Sequence, residues 1–234
     1  KDYRQPNIQA EPAFQKGWFE IQDEGSQMVA LLSGAKPGQN VLDYCAGGGG
    51  KTLALASHMG NKGQIHATDS DKARLAPIFE RLKRAETRNV QVHSAKSDLT
   101  SLESAMDLVL IDAPCTGAGT WRRRPDAKWR LSQSQLDQRV NEQASILEKA
   151  KAFVKPGGRI AYITCSVFEA ENAGQVRRFL SANADFKAID PKSLMLALLP
   201  ALPAEAVLLS PQGLTLTPLR TGTDGFFLSV LQKS

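Results

Sequence analysis

The sequence predicts an α/β domain built on a mostly parallel sheet, with helices on both faces and antiparallel pairing at one edge. Three observations carry that reading. Short apolar runs alternate with amphipathic stretches through the middle of the chain, each run ends in loop-forming residues, and a glycine run follows the first of them. The 234 residues suffice for one large domain or two small ones, and the 42% apolar share is enough to fill a core. No internal repeat or low-complexity segment interrupts the pattern.

Each element follows from local composition. Val41–Asp43 reads as a buried strand, followed by glycines and a helix from Lys51 to His58. Gln64–Asp69 reads as a second strand and Lys72–Arg84 as a helix. Val90–His93 and Leu108–Asp112 supply the third and fourth strands, the fourth running into Ala-Pro-Cys. Ser132 with Gln135 forms a capping box that opens a helix striped by Leu136, Val140, Ala144, Leu147 and Phe153. Pro156-Gly157-Gly158 is expected to stop that helix. Arg159–Cys165 is the fifth strand and Glu169–Leu180 a further helix. Residues 190–212, rich in proline and leucine, read as a packed irregular insert. Leu214–Thr217 and Phe226–Leu231 close the chain as antiparallel strands at the sheet edge.

Composition excludes several classes. Apolar runs are too short for a membrane span, which needs about 18 to 20 residues. Three cysteines at 45, 115 and 165, with no Cys-x-x-Cys, argue against a disulfide scaffold and against zinc. The net charge is +5, with a pI near 9.2, but it is unevenly spread. Residues 72–96 carry seven positive and two negative side chains, and residues 121–155 carry nine and four. The sharpest cluster is Arg122, Arg123, Arg124, Lys128 and Arg130, with Trp121 and Trp129 interleaved. Positive charge there suits phosphate contacts, while the tryptophans are expected to pack into the protein.

The segment Val41–Thr52 has the form strand, flexible turn, helix start, in which glycines let a ligand approach the backbone and the helix N-terminus offers free N–H groups. A Walker A loop would need glycine where Cys45 stands, and the spacing also fails a dinucleotide fingerprint. An adenosine-bearing ligand survives both tests. Asp69 closes the second strand, where a carboxylate accepts ribose hydroxyls, and Asp112 ends the fourth at the same sheet edge. Alternatively, Asp69 caps the next helix beside Asp71. Cys115 and Cys165 follow adjacent strand ends, so both thiols are expected over one cleft. Two such thiols suit conjugate addition to cytosine C6, which makes C5 able to attack an electrophilic methyl group. The attacking thiol must ionise, and Lys51 and the helix opening near Glu169 supply positive charge for that.

VLDYCAGGGGKT, DAPCTGAGTWRRRPDAKW and YITCSVFEAEN resemble the RNA cytosine-C5 methyltransferases, in particular the bacterial Sun/Fmu-type ribosomal RNA enzymes; GWFEIQDEGSQ and GTDGFFL extend the resemblance over most of the chain. It implies a Rossmann-like methyltransferase fold, residues 36–234 as the catalytic domain, and residues 1–35 as an extension packing on it. It implies an S-adenosylmethionine (AdoMet) loop at Cys45, Ala46, Gly47, Gly48, Gly49, Gly50 and Lys51, with Asp69 on the ribose, Asp98 near the adenine and Asp112 where cofactor and cytosine meet. Cys165 is then the nucleophile and Cys115 assists product release. RNA, ribosomal with an unpaired or flipped cytosine, would be held by Arg122, Arg123, Arg124 and Lys128, without DNA, metal or membrane, by a cytoplasmic monomer. Two departures from the family pattern stand out: its proline is missing from the glycine loop, and HSAKSDL matches the adenine-side motif poorly, leaving Ser97 or a neighbour as an alternative to Asp98. The same resemblance implies an N-terminal RNA-binding domain similar to an antitermination factor, absent from these residues. Rival readings are a non-catalytic RNA-binding or assembly module and methylation of transfer RNA or another acceptor.

Overall fold

The computed structural model describes residues 7–234; the first six residues of the expected extension lie outside it. Nine strands form one sheet: β1 Asn40–Asp43, β2 Gln64–Thr68, β3 Val90–His93, β4 Met106–Asp112, β5 Val154–Thr164, β6 Phe186–Ala188, β7 Leu208–Ser210, β8 Gly213–Leu216 and β9 Phe226–Lys233. The order is β3-β2-β1-β4-β5-β9-β8-β7, with β6 also on β9. The first five strands are mutually parallel, and β9 turns the sheet antiparallel. The ordered helices are α1 Pro12–Gln15, α2 Glu24–Leu32, α3 Gly50–His58, α4 Lys72–Leu75, α5 Ile78–Arg84, α6 Ala127–Arg130, α7 Gln133–Ala150, α8 Ala173–Ala182, α9 Pro191–Leu198 and α10 Pro218–Thr221. None of them is long and apolar enough to cross a membrane.

Side chains alternate across a strand, so each central strand feeds two cores. Val41, Leu108, Leu110, Ala161 and Ile163 face one way, where they meet Val29 and Leu32 of α2, Leu55 and Met59 of the α3 region and Met195 of α9. Leu42, Val109, Ile111, Ile160 and Tyr162 face the other, against Leu147 of α7 and Val176 and Phe179 of α8. Fully burying each such leucine or isoleucine contributes roughly 1.5–3 kcal/mol, which makes continuous apolar runs the signature of these strands. Chain order reverses between β1 and β4, and the loops leaving their carboxyl ends therefore open a crevice there.

Several boundaries differ from the sequence expectation. The helix expected over 72–84 is two, α4 and α5, separated at Pro77, which cannot donate the interior hydrogen bond. Pro156–Gly158 does not stop α7: the helix ends at Ala150 and the three residues lie inside β5, beside a register shift in its pairing with β4. A Cβ on Gly158 would lie 2.7 Å from the Met106 carbonyl, so glycine is required there. The insert at 190–212 contains α9 and β7, and β9 is an inner strand rather than the edge. α2 carried no sequence expectation, yet Val29 and Leu32 are fully buried.

The chain between β4 and α7 is drawn onto the sheet at Gly119. Its N–H donates to the Cys165 carbonyl at 2.9 Å, and its carbonyl accepts from Gly225 at 2.8 Å. A Cβ would sit 2.1 Å from the Gly225 oxygen, a backbone overlap that no rotamer change relieves. Gly119→Ala is expected to lower unfolding free energy by about 1–3 kcal/mol, read as a fall in the urea midpoint; an unchanged midpoint would mean the loop is not held at that distance.

Candidate active site

The loops leaving β1, β2, β3 and β4 surround a cleft of about 520 Å³ lined by Tyr44, Cys45, Asp69, Arg74, Ser97 and Pro114, among others. That volume matches a small-molecule site. Left-handed φ angles of +50° at Gly47 and +81° at Gly49 fold the β1 loop back on itself, and a Cβ on Gly49 would come within 2.5 Å of Ile78. Asp69 is buried, and backbone donors hold both its oxygens: Gly47 N–H at 2.9 Å and Asp71 N–H at 2.8 Å. The capping role belongs to Asp71, whose carboxylate accepts from Ala73. α3 then opens at Gly50 with no side chain capping it, leaving its N-terminal donors for a ligand. A nucleoside with an anionic substituent fits this donor set.

Cys45 lines the cleft, whereas Asp98 is not among its lining residues. Burial pushes the Cys45 thiol up, so it stays a neutral filler and contributes backbone to the loop. Asp98 is exposed; its carboxylate accepts from the N–H and hydroxyl of Thr100, which hold it below the usual carboxylate range. Ser94, Ala95 and Ser97 form the wall on that side.

Beside the cleft, Lys51 on α3 donates to Asp112 Oδ2 at 2.7 Å and lies 5.1 Å above the Phe226 ring. Lys51 is only 6% exposed, so its charge is compensated mainly by this one carboxylate. Cys115 and Cys165 approach with sulfurs 3.3 Å apart. The parallel pairing of Asp112 with Ile163 sets their loops at equal height. The Cys165 loop is further fixed by Asn172, which accepts from Thr164 at 2.6 Å and donates to the Ser166 carbonyl at 2.9 Å. The two thiols are displaced in opposite directions. The proton donated by Cys115 holds the Cys165 thiol below its usual range; burial and Asp112 oppose this, and Lys51 reinforces it. Giving that bond, together with burial, pushes Cys115 well up. Of the two, Cys165 is therefore the sulfur that ionises the more readily.

The basic loop divides in two. Arg123 grips buried Asp224 through Nε at 2.8 and 3.0 Å, and Arg122 pairs with Asp224 at 3.4 Å and with Asp23 at 3.3 Å. These arginines, expected at RNA, are engaged in holding the loop to β9 and α2. Arg124 and Lys128 have no ion pair among the described residues. Trp121 packs edge-on against Phe168 at 5.9 Å as expected, but Trp129 is 81% exposed, with Lys128 4.6 Å above its ring. Asp224, Phe226, Thr116 and Glu171 were not singled out from the sequence, although all four lie within its recognisable strings.

The family described as 16S rRNA methyltransferase RsmB/F matches residues 30–232. A probable ribosomal RNA small subunit methyltransferase B from Synechocystis sp. is 32% identical, covering 95% of this chain and 49% of its own. Among solved structures, PH0851 is 35% identical with a TM-score of 0.88, covering 98% of this chain and 50% of that one. NSun6 from Pyrococcus horikoshii, solved with SFG, is 26% identical with a TM-score of 0.77, covering 98% and 56%. The chain spans about half the length of the curated relatives it matches.

Asp43, beneath the site, is fully buried. It accepts from Thr52 Oγ1 at 2.7 Å, and its Oδ1 has no partner among the described residues. Burial pushes it up to about 7, with Thr52 and Lys51 opposing and Asp112 and Asp69 adding to the rise. Between the ordinary carboxylate value of about 4 and about 7, the unfolded chain has released a proton that the folded chain keeps. This group's contribution is thus full at low pH and lost as pH rises to about 7. Asp43→Asn is expected to gain several degrees in Tm relative to the parent protein between pH 4 and 7, with the gap constant above; a pH-independent gap would contradict the assignment.

Proposed function

This chain belongs to the 16S rRNA methyltransferase RsmB/F family, and from that premise we propose that it transfers a methyl group from AdoMet to C5 of a cytosine in RNA, with ribosomal RNA as the substrate. The observation that carries the reading is the Cys115–Cys165 contact of 3.3 Å beside the Lys51–Asp112 pair. The residues around the cleft fit the cofactor: Asp69 for the ribose, Ser94, Ala95 and Ser97 toward the base, and the α3 N-terminus with Gly47–Gly50 for the amino-acid end. When bound, AdoMet supplies an electrophilic methyl group.

Cys165 adds as thiolate to cytosine C6, forming a carbon–sulfur bond and moving the ring electrons so that C5 becomes nucleophilic. Asp112 accepts from the base and orients it, while Lys51 holds the Asp112 carboxylate in place and favours the thiolate state of Cys165. Methyl transfer leaves S-adenosylhomocysteine; the C5 proton then passes to water, the C5–H bonding electrons restore the ring double bond, and Cys165 departs as thiolate. The Cys115 S–H stabilises that departing sulfur through the same hydrogen bond that lowers the Cys165 pKa, which gives its release role a physical basis. A single chain contributes every residue in this sequence.

Arg124, Lys128 and exposed Trp129 contact the RNA, the first two through phosphates and the ring by stacking on an unpaired base. Arg122 and Arg123 act by holding the loop. Transfer RNA is the alternative acceptor, favoured by the likeness to NSun6.

Incubation with labelled AdoMet and transcripts of ribosomal and transfer RNA distinguishes these acceptors. Label on ribosomal RNA, reduced to background by Cys165→Ala, is the expected result; no transfer to any RNA, or transfer unaffected by Cys165→Ala, would overturn the proposal. Cys115→Ala is expected to accumulate a protein–RNA adduct seen as a slow band on a denaturing gel, and absence of the band would remove its release role. Trp129→Ala should weaken RNA binding roughly tenfold, the scale of one lost stacking contact, whereas unchanged affinity would leave Trp129 outside the interface.

A further inference from the structure

Once two sulfurs in contact have lost one of their protons, something must decide which of them keeps the other. Immediately behind Cys115 lies Glu171, fully buried. Its Oε1 accepts from Thr116 N–H at 2.8 Å and from Gln143 Nε2 at 3.0 Å, and its Oε2 accepts from Thr116 Oγ1 at 2.6 Å. In each of these contacts the carboxylate accepts. All three donors are neutral, and among the described residues Glu171 has no ion pair. Its carboxylate is held by hydrogen bonds from neutral donors alone, and it faces the titratable groups packed around it.

One of these groups is Cys115, the residue before Thr116. The Glu171 charge contributes to the upward displacement of the Cys115 thiol, while Lys51 acts in the opposite direction on Cys165. The other groups facing the pair are Asp112, Lys51 and Arg123 on the Cys165 side, and Tyr162 and Glu171 on the Cys115 side. The Tyr162 hydroxyl donates to the Glu171 carbonyl at 2.7 Å, and Gln143 also donates to the Pro114 carbonyl at 2.9 Å. Glu171 is thus clamped between β5 and the loop that carries Cys115.

We propose that Glu171 is a positioning residue for the reaction: its buried carboxylate anchors the Cys115 loop through Thr116 and keeps the shared proton on Cys115, leaving Cys165 as the sole nucleophile. This rests on the division of roles between the cysteines given under Proposed function. It adds a cause for that division, an anion behind one sulfur and a cation beside the other.

The test is thiol alkylation of the free protein by iodoacetamide across pH 6–9, with both cysteine peptides followed by mass spectrometry. The parent protein is expected to alkylate Cys165 ahead of Cys115. Glu171→Gln keeps an acceptor oxygen but removes the charge, and should cut that selectivity roughly tenfold, the effect of one pKa unit, with the Cys115 profile moving to lower pH. Thr116→Val removes one hydrogen bond and keeps the charge, and should preserve the selectivity. Parent-like selectivity in Glu171→Gln would overturn the proposal, as would equal loss in Thr116→Val, which marks a merely structural contact. If Glu171→Gln does not fold, Thr116→Val decides alone: retained or sharpened selectivity supports the proposal and lost selectivity overturns it. The readout needs neither RNA nor AdoMet, so its outcome is independent of whether methyl transfer is observed.

Discussion

The parallel pairing of β4 with β5 is the constraint on which the site depends. It brings Asp112 opposite Ile163 and so sets the two cysteine loops side by side, where a one-residue slip would turn the strand-end side chains to the other face of the sheet. The register is fixed by burial on both faces: Leu108, Leu110, Ala161 and Ile163 cannot exchange places with Val109, Ile111, Ile160 and Tyr162 without reassigning two cores. The contact between Cys115 and Cys165 thus depends on packing far larger than itself.

Charge placement refines what the register creates. A buried lysine is costly, and Asp112 with the Phe226 ring compensates Lys51 on the Cys165 side of the site. Glu171 supplies the opposite sign on the far side, held by neutral donors. Asp224 does comparable work at the rim. It is fully buried, pairs with Arg122 and Arg123, and donates its own N–H to the Asp23 carboxylate at 3.3 Å. Residues near the start of the chain, in the basic loop and before β9 are thereby tied to one carboxylate, and the basic loop has a fixed base from which Trp129 projects.

Much of this was legible in the sequence for a physical reason. Central parallel strands are buried on both faces and read as unbroken apolar runs, so their ends, and the loops carrying Asp69, Asp112, Cys115 and Cys165, could be located. What escaped was set by contacts between distant residues. Glu171 looks like a surface glutamate until Thr116, 55 positions earlier, is brought to it. The bond from Asp224 to Asp23 spans 201 positions. Asp98 offered a carboxylate near the right place, but Thr100, two residues on, claimed it locally. Trp129 invited a packing role by composition, and only the tertiary structure reveals that nothing covers it. Pro156–Gly158 has the composition of a helix stop and instead serves a strand that passes close to Met106.

The central claim is that Cys165, and not Cys115, forms the bond to cytosine. The most direct measurement uses RNA carrying 5-fluorocytosine at the target with AdoMet, which blocks loss of the C5 substituent and traps the covalent complex; digestion and mass spectrometry then identify the peptide bearing the nucleotide. The nucleotide is expected on the peptide containing Cys165. Attachment to the Cys115 peptide, or no covalent complex with an RNA that is otherwise methylated, would contradict the account.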